Sequence, residues 1–340
     1  MTADQQGATA QERPPGGSLL TVLVALGANF LVAAAKTITA AITGSAAMVA
    51  EAAHSWADTG NEVFLLIAER RSARPRDRDH PRGYGREGYV WSMFAAFGLF
   101  VAGSVVSITH GVQELGAEQT DTDYLPAYIV LAVSFVLEGV SFAQALRQTR
   151  GLAGELGLHP LRFIQRTSDP TLRAVFVEDA VALIGIVVAA TAMAAHQLTG
   201  NPVWDAAGSI GVGVLLGVVA VFLIVRNKDF LTGQPTDPWL HERLLAAILA
   251  DPEVQRATYV HTEFVGARKV FLVAAVDLTG NDAEHHLATR LRTVEARLEE
   301  HELIEDAVLT LSLPQAPALQ LRTSAAQRDA PTATSSDRTP

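Results

Sequence analysis

Residues 44–71 read GSAAMVAEAAHSWADTGNEVFLLIAERR, long enough to cross a bilayer as a helix, yet carrying Glu51, His54, Asp58, Asn61 and Glu62. At 3.6 residues per turn His54 and Asp58 stand one above the other, and Glu51 and Glu62 continue roughly the same stripe. An ionisable group at bilayer depth costs on the order of 3 kcal/mol or more, so such a stripe needs a partner or a purpose. An imidazole and a carboxylate four residues apart are two ligands of a divalent-metal site. The competing reading is a structural hydrogen-bonded pair that packs this helix against a neighbour. In lipid the metal or proton reading is favoured, because each buried charge must be compensated.

Around this stretch the composition is that of a multi-span membrane protein with soluble ends: 340 residues, 49% hydrophobic and 18% charged. The apolar residues gather in runs between Leu19 and Val225, and the remainder has ordinary soluble composition. A net charge of −10 argues against nucleic acid as a partner, since phosphate binding needs a basic face. With no cysteine there is neither a disulfide nor a thiolate metal site, so any bound metal must use His, Asp, Glu or Asn. Residues 1–17, MTADQQGATAQERPPGG, lack the basic start and apolar core of a cleaved signal peptide and read as a disordered tail.

Hydropathy predicts six spans. They run from Leu19 to Thr43 (interrupted by Asn29 and Lys36), Ala46 to about Ala68, Tyr89 to about Val112, Leu125 to about Leu146, Ala174 to about Ala195, and Ala206 to Val225. Glycines 208, 211, 213 and 217 on the sixth predict close helix packing. The connection after span two holds seven arginines between Arg70 and Arg86, and Arg147 to Arg173 reads as a basic loop broken by Gly and Pro. Span six is followed by Arg226 and Lys228, whereas ELGAEQTDTDY after span three is acidic. This asymmetry places both termini in the cytoplasm. From Thr236 the pattern changes to helix, two strands, helix and strand. The expected fold is therefore an α-helical membrane protein, with a six-helix transmembrane domain over 18–233. A small cytoplasmic α+β (α-β-β-α-β) domain over 236–314 and a disordered tail over 315–340 would follow.

Glu178 and Asp179 lie about five residues into the fifth apolar run and are the natural counterpart of His54 and Asp58. Adjacent helical residues point about 100° apart, so one should be the ligand and the other a supporting or proton-carrying group. The competing reading is a helix-end pair reaching the cytoplasmic interface. Lys36 either reaches the outer interface or neutralises a carboxylate such as Glu51. Glu138, alone on span four, orients a ligand, relays protons or pairs with Lys36, and Glu51 is a second relay candidate. His110 reads as an interfacial residue. The run from His80 to Gly85 is either a specific element or a tight turn anchoring two helices at an anionic lipid surface. His285 and His286 are adjacent on a helix and read as solvent-facing.

The Gly44–Ser45 turn followed by HSWAD, the loop DHPRGYGREGY, the acidic fifth span and the small α+β domain together resemble the cation diffusion facilitator transporters over about residues 18 to 313. The segments RTSDPTLRAVFVEDAVALIG, TGNPVWDAAGSIGVG and the His-Gly of ITHGV are similar to the family's zinc transporter nine branch. The resemblance implies a transmembrane site built from two residues four apart on span two and two residues four apart on span five. The first pair falls on His54 and Asp58, and the last residue on Asp179. The fourth position falls on Val175, which offers no donor and leaves a coordination position for water, Glu178 or another group. In the small domain the family's metal positions fall on Thr258, Ala274 and Thr310, so no metal cluster is expected there.

The resemblance further implies a divalent metal cation transporter rather than an enzyme, with zinc the leading ion, carried transiently and exchanged for protons by alternating access. It also implies export from the cytoplasm and a homodimer paired through the small domain. Val175 keeps open a non-transporting membrane metal sensor or scaffold that acts through the tail domain. An intramembrane metalloenzyme is a third reading, for which no additional general base is evident.

Overall fold

The computed structural model of the protein describes residues 19–116, 123–280 and 282–321. The N-terminal tail, most of the acidic connection after span three, and residues 322–340 lie outside the described residues.

The helices are α1 (Leu19–Thr43), α2 (Ala46–Ser72), α3 (Glu87–Gly98) and α4 (Val106–Glu114). The last two are joined without a break by a π-helical stretch, Leu99–Val105. Next come α5 (Leu125–Glu155), the short α6 (Pro160–Arg166), α7 (Pro170–Thr199) and α8 (Val203–Leu231). Five of these segments are long and apolar enough to cross a membrane: α1, the continuous Glu87–Glu114, α5, α7 and α8. The sixth helix, α2, has 27 residues and so spans about 40 Å, but its charges keep it from reading as an apolar span. Its place in the bundle resolves this, because α2 packs against α1, α3, α4, α7 and α8 and meets little lipid. Large apolar side chains point away from the bundle instead, among them Val136 and Val140 on α5 and Val218 on α8.

Several helix limits differ from the hydropathy reading, α8 among them, which runs on to Leu231 rather than ending at Val225. Helix α2 runs on to Ser72, and α5 continues to Glu155 through what reads as a basic loop. Helix α7 starts at Pro170, capped by the Asp169 carboxylate, which accepts from the Leu172 amide at 3.0 Å. Apolarity ends where the bilayer ends, but backbone hydrogen bonding does not, so polar turns extend each helix into water. The close packing expected of the α8 glycines is present: a Cβ on Gly213 would lie 2.7 Å from Ile108 Cγ1.

The small domain comprises α9 (Pro238–Ala250), β1 (Val254–Gly266), β2 (Lys269–Leu278), α10 (Glu284–Glu299) and β3 (Ile304–Leu311). The sheet order is β1-β2-β3, with β1 antiparallel and β3 parallel to β2. This is the expected α-β-β-α-β order, and its core includes Leu244, Ile248, Leu272, Val276 and Val294. That core also takes in Tyr89 from α3 and Phe230 from α8, whose rings stack at 5.2 Å. His285 and His286 are exposed.

The arginine-rich connection faces this domain. Arg76 pairs with Glu299 at 2.9 Å, and Arg86 with Glu263 at 2.9 Å. The Arg82 guanidinium lies 4.1 Å from the centre of the Phe271 ring. A Cβ on Gly85 would stand 2.5 Å from the Val265 carbonyl oxygen, so the loop and β1 meet backbone to backbone. Within the loop the Tyr84 hydroxyl donates to Asp77 at 2.8 Å and holds that exposed carboxyl below its usual range. These arginines serve protein carboxylates, which a lipid-surface reading of the charge run does not anticipate.

Candidate metal site

Helix α2 begins at the two-residue turn Gly44–Ser45. The Ser45 hydroxyl accepts from the Met48 amide at 3.2 Å and donates to Asp205 at 2.8 Å. Asp205, at the start of α8, also accepts from the Ala46 amide at 2.5 Å and from the Ala47 amide at 3.4 Å. A buried carboxylate on the positive end of a helix satisfies orphan amides and complements the dipole. Sequence reasoning missed Asp205. Its only signal is an acidic residue in the first turn of a span beside the Gly-Ser turn, and the pairing is 160 residues apart in sequence.

From that fixed end, α2 presents one polar sector about 100° wide, which splits into two rows by partner and not by angle. Taking His54 as reference at about 100° per residue, Asp58 lies about 40° to one side and Asn61 about 20° to the other. Glu51 and Glu62 lie about 60–80° round, and the structure gives them different partners. Lys36 of α1 donates to Glu51 at 2.9 Å, with both side chains fully buried. Asn29 of α1 donates to Glu62 at 2.7 Å. Thus Glu51 and Glu62 both meet α1, with Glu51 Oε1 also lying against Gly185 of α7, and of the two readings of Lys36 the structure has it neutralising Glu51.

The other row faces α7. His54 Nε2 stands 3.6 Å from Asp58 Oδ2, too far for a hydrogen bond. The Asn61 amide donates to Glu178 of α7. Asp179, one residue on, is turned toward α5 and accepts from the Ser141 hydroxyl at 2.7 Å. Glu138, Glu178 and Asp179 all lie within electrostatic reach of Asp58. His110, half-buried on α4, has no hydrogen-bond partner for Nδ1 among the described residues. Among the described residues no group of three His, Asp or Glu side chains closes tightly enough to hold a metal ion. The arrangement is an open one: His54, Asp58 and Glu178 on facing helices, with Asp179 to one side.

A cavity of about 420 Å³ opens beside this site. Its wall includes Glu69 and Ser72 at the end of α2, Gly85 and Gly88, Gln144 on α5, and Ala267 of the small domain. Ser141 and Val175 also line it, so the cavity reaches the hydroxyl that holds Asp179. This vestibule leads from the small-domain face as far as Val175 and Ser141, the hydrogen-bond partner of Asp179.

Residues 22–232, well over half of the chain, match the family model described as the cation efflux transmembrane domain. The mitochondrial proton-coupled zinc antiporter SLC30A9 of Xenopus laevis is 36% identical over 266 residues, which is 78% of this chain and 47% of that protein. Metal tolerance protein C4 of Arabidopsis thaliana is 36% identical over 259 residues, 76% of this chain and 57% of that protein. The manganese efflux system protein MneS of Bacillus subtilis is 31% identical over 106 residues, 31% of this chain and 37% of that protein. The chain spans about half the length of the first two relatives. A membrane bundle with a polar central helix, a small α+β domain and this family match agree: the chain is a multi-pass membrane protein of the cation efflux (cation diffusion facilitator) family, in its zinc transporter nine-like branch.

Proposed function

We propose that the protein is a divalent-cation/proton antiporter that carries zinc out of the cytoplasm by alternating access, as a homodimer with both termini on the cytoplasmic side. The observation that carries this reading is buried His54 beside half-buried Asp58 in α2, with both imidazole nitrogens lacking a hydrogen-bond partner among the described residues. An unprotonated imidazole beside a carboxylate binds a divalent ion, and the same imidazole releases the ion when protons compete for it. The acidic pair of α7 lies opposite: Glu178 meets α2 through Asn61, and Asp179 is turned aside to Ser141 of α5. The vestibule ending at Ser141 and Val175 supports entry from the small-domain face, which the arginine distribution puts in the cytoplasm. Glu138, within reach of Asp58 and Asp179, is the better placed of the two relay candidates, because Glu51 is tied to Lys36. The zinc and proton parts of this reading draw on the printed name of the SLC30A9 relatives.

The test is flux in proteoliposomes holding the purified full chain, with zinc outside and an imposed pH gradient. His54→Ala and Asp58→Ala are each expected to reduce zinc flux to the protein-free background while the protein still elutes as a folded species. Flux at the wild-type rate in both variants would sink the reading.

A further inference from the structure

Three observations bear on how the site is closed. First, His54, Asp58 and Asn61 fall within about 60° of one another on α2, so the amide belongs to the same row as the imidazole and the carboxylate. Second, Glu178 is the α7 carboxylate that meets this row, through Asn61, while Asp179 is drawn off to Ser141 on α5. Third, the row is full of buried polar atoms without partners. His54, Asn61 and Glu178 are 1%, 3% and 8% exposed. Both His54 nitrogens, Asp58 Oδ1, Asn61 Oδ1 and Glu178 Oε1 accept or donate no hydrogen bond among the described residues.

Buried polar atoms are nearly always paired in native proteins. One imidazole and three oxygens with unmet lone pairs stand on facing helices without closing into a cage, and a divalent cation drawn between them is the partner that satisfies them together. An apolar contact leaves all of them unmet, and a single water, with two O–H donors, leaves about half.

We propose that Glu178 and the carbonyl oxygen of Asn61 complete the ion site with His54 and Asp58, in place of a donor at position 175. The proposal deepens the transport reading and rests on it. Val175 lines the vestibule, one turn before Asp179, so Asp179 and Ser141 become a polar station on the way in rather than part of the final cage.

The donor set names a substrate class. One imidazole with two carboxylates and an amide carbonyl is harder than a site richer in nitrogen. Oxygen donors suit manganese(II), whereas imidazole favours zinc and iron. The site accordingly takes manganese(II) as well as zinc. Zinc remains the tighter of the two by the usual order of divalent affinities.

The test is calorimetric titration of the detergent-purified full chain with zinc chloride and, separately, manganese chloride. Wild-type protein is expected to bind both. Glu178→Gln and Asn61→Leu should each weaken both metals by about tenfold or more, Asn61→Asp should restore binding, and Asp179→Asn should change it by less than about threefold. Wild-type affinity in Glu178→Gln, or the larger loss in Asp179→Asn, overturns the closure and leaves the transport reading standing. No binding of either metal by the wild-type chain overturns both. A folding defect in Glu178→Gln is bypassed by Val175→His, which adds an imidazole donor without touching the Asn61–Glu178 contact. It should raise the zinc-to-manganese affinity ratio by about tenfold; an unchanged ratio overturns the proposal.

Discussion

Lys36 and Glu51 show what a single buried pair costs when one member is lost. Both are fully buried and 2.9 Å apart, so Lys36→Met strands a carboxylate inside the bundle. The expected destabilisation is about 3–5 kcal/mol, seen as a lower midpoint of thermal unfolding in detergent. Adding Glu51→Leu removes the stranded charge and should recover most of the loss. Equal midpoints for wild type and Lys36→Met would show the pair to be idle. At this scale the sequence was partly legible. His54 and Asp58 are visible because four residues is one turn, and the partner of Lys36 was one of two candidates. The role of Asn61 was not visible, because an amide in a helix has no fixed meaning until the neighbour facing it is known. Choosing between Glu178 and Asp179 likewise depends on the rotation of α7, which adjacent residues in an apolar run do not encode.

Among the elements, α2 stands apart because its first turn is held by another helix. Asp205 accepts from the Ser45 hydroxyl and from the amides of Ala46 and Ala47. Asp205→Ala leaves those donors buried and unpaired, and helix caps of this kind are worth about 0.5–2 kcal/mol. Hydrogen exchange at the amides of residues 46–48 should accelerate in Asp205→Ala and less so in Asp205→Asn; exchange at the wild-type rate would rule the clamp out. Element identity was readable for the six spans and the small domain, from period and apolarity, but α6 lies within what reads as a basic loop. Element ends were not. Arg147 to Glu155 carries two arginines and two glycines, yet it continues α5, because a helix already nucleated in the membrane adds polar residues at little cost.

Across the whole molecule, the membrane bundle and the small domain share a core at Tyr89 and Phe230 and meet again at Gly85 and Gly266. Gly85→Ala would set a methyl group 2.5 Å from the Val265 carbonyl oxygen, which the two backbones can relieve only by separating. Limited proteolysis should then cut faster between residues 73 and 86, with the membrane helices still protected. Gly88→Ala is the matched control, since its added Cβ meets Ser72 Cβ at an ordinary 3.4 Å. Cleavage of Gly85→Ala at the wild-type rate would show that the contact does not hold the loop. The order of domains was legible in the composition break near Thr236, but their docking was not, because a run of arginines looks the same whether it faces phosphate or carboxylate.

The fastening of α2 at both ends has a mechanical meaning. One end is pinned to α8 by Asp205, and the other runs through the arginine-bearing loop onto the sheet. A rod held this way cannot shift its middle freely: displacement at His54 has to appear as load at the two fixings. For the ion site proposed above, a firmer grip of the sheet on the loop should bias ion binding, and by reciprocity an ion held at His54 and Asp58 should alter how firmly the sheet is held.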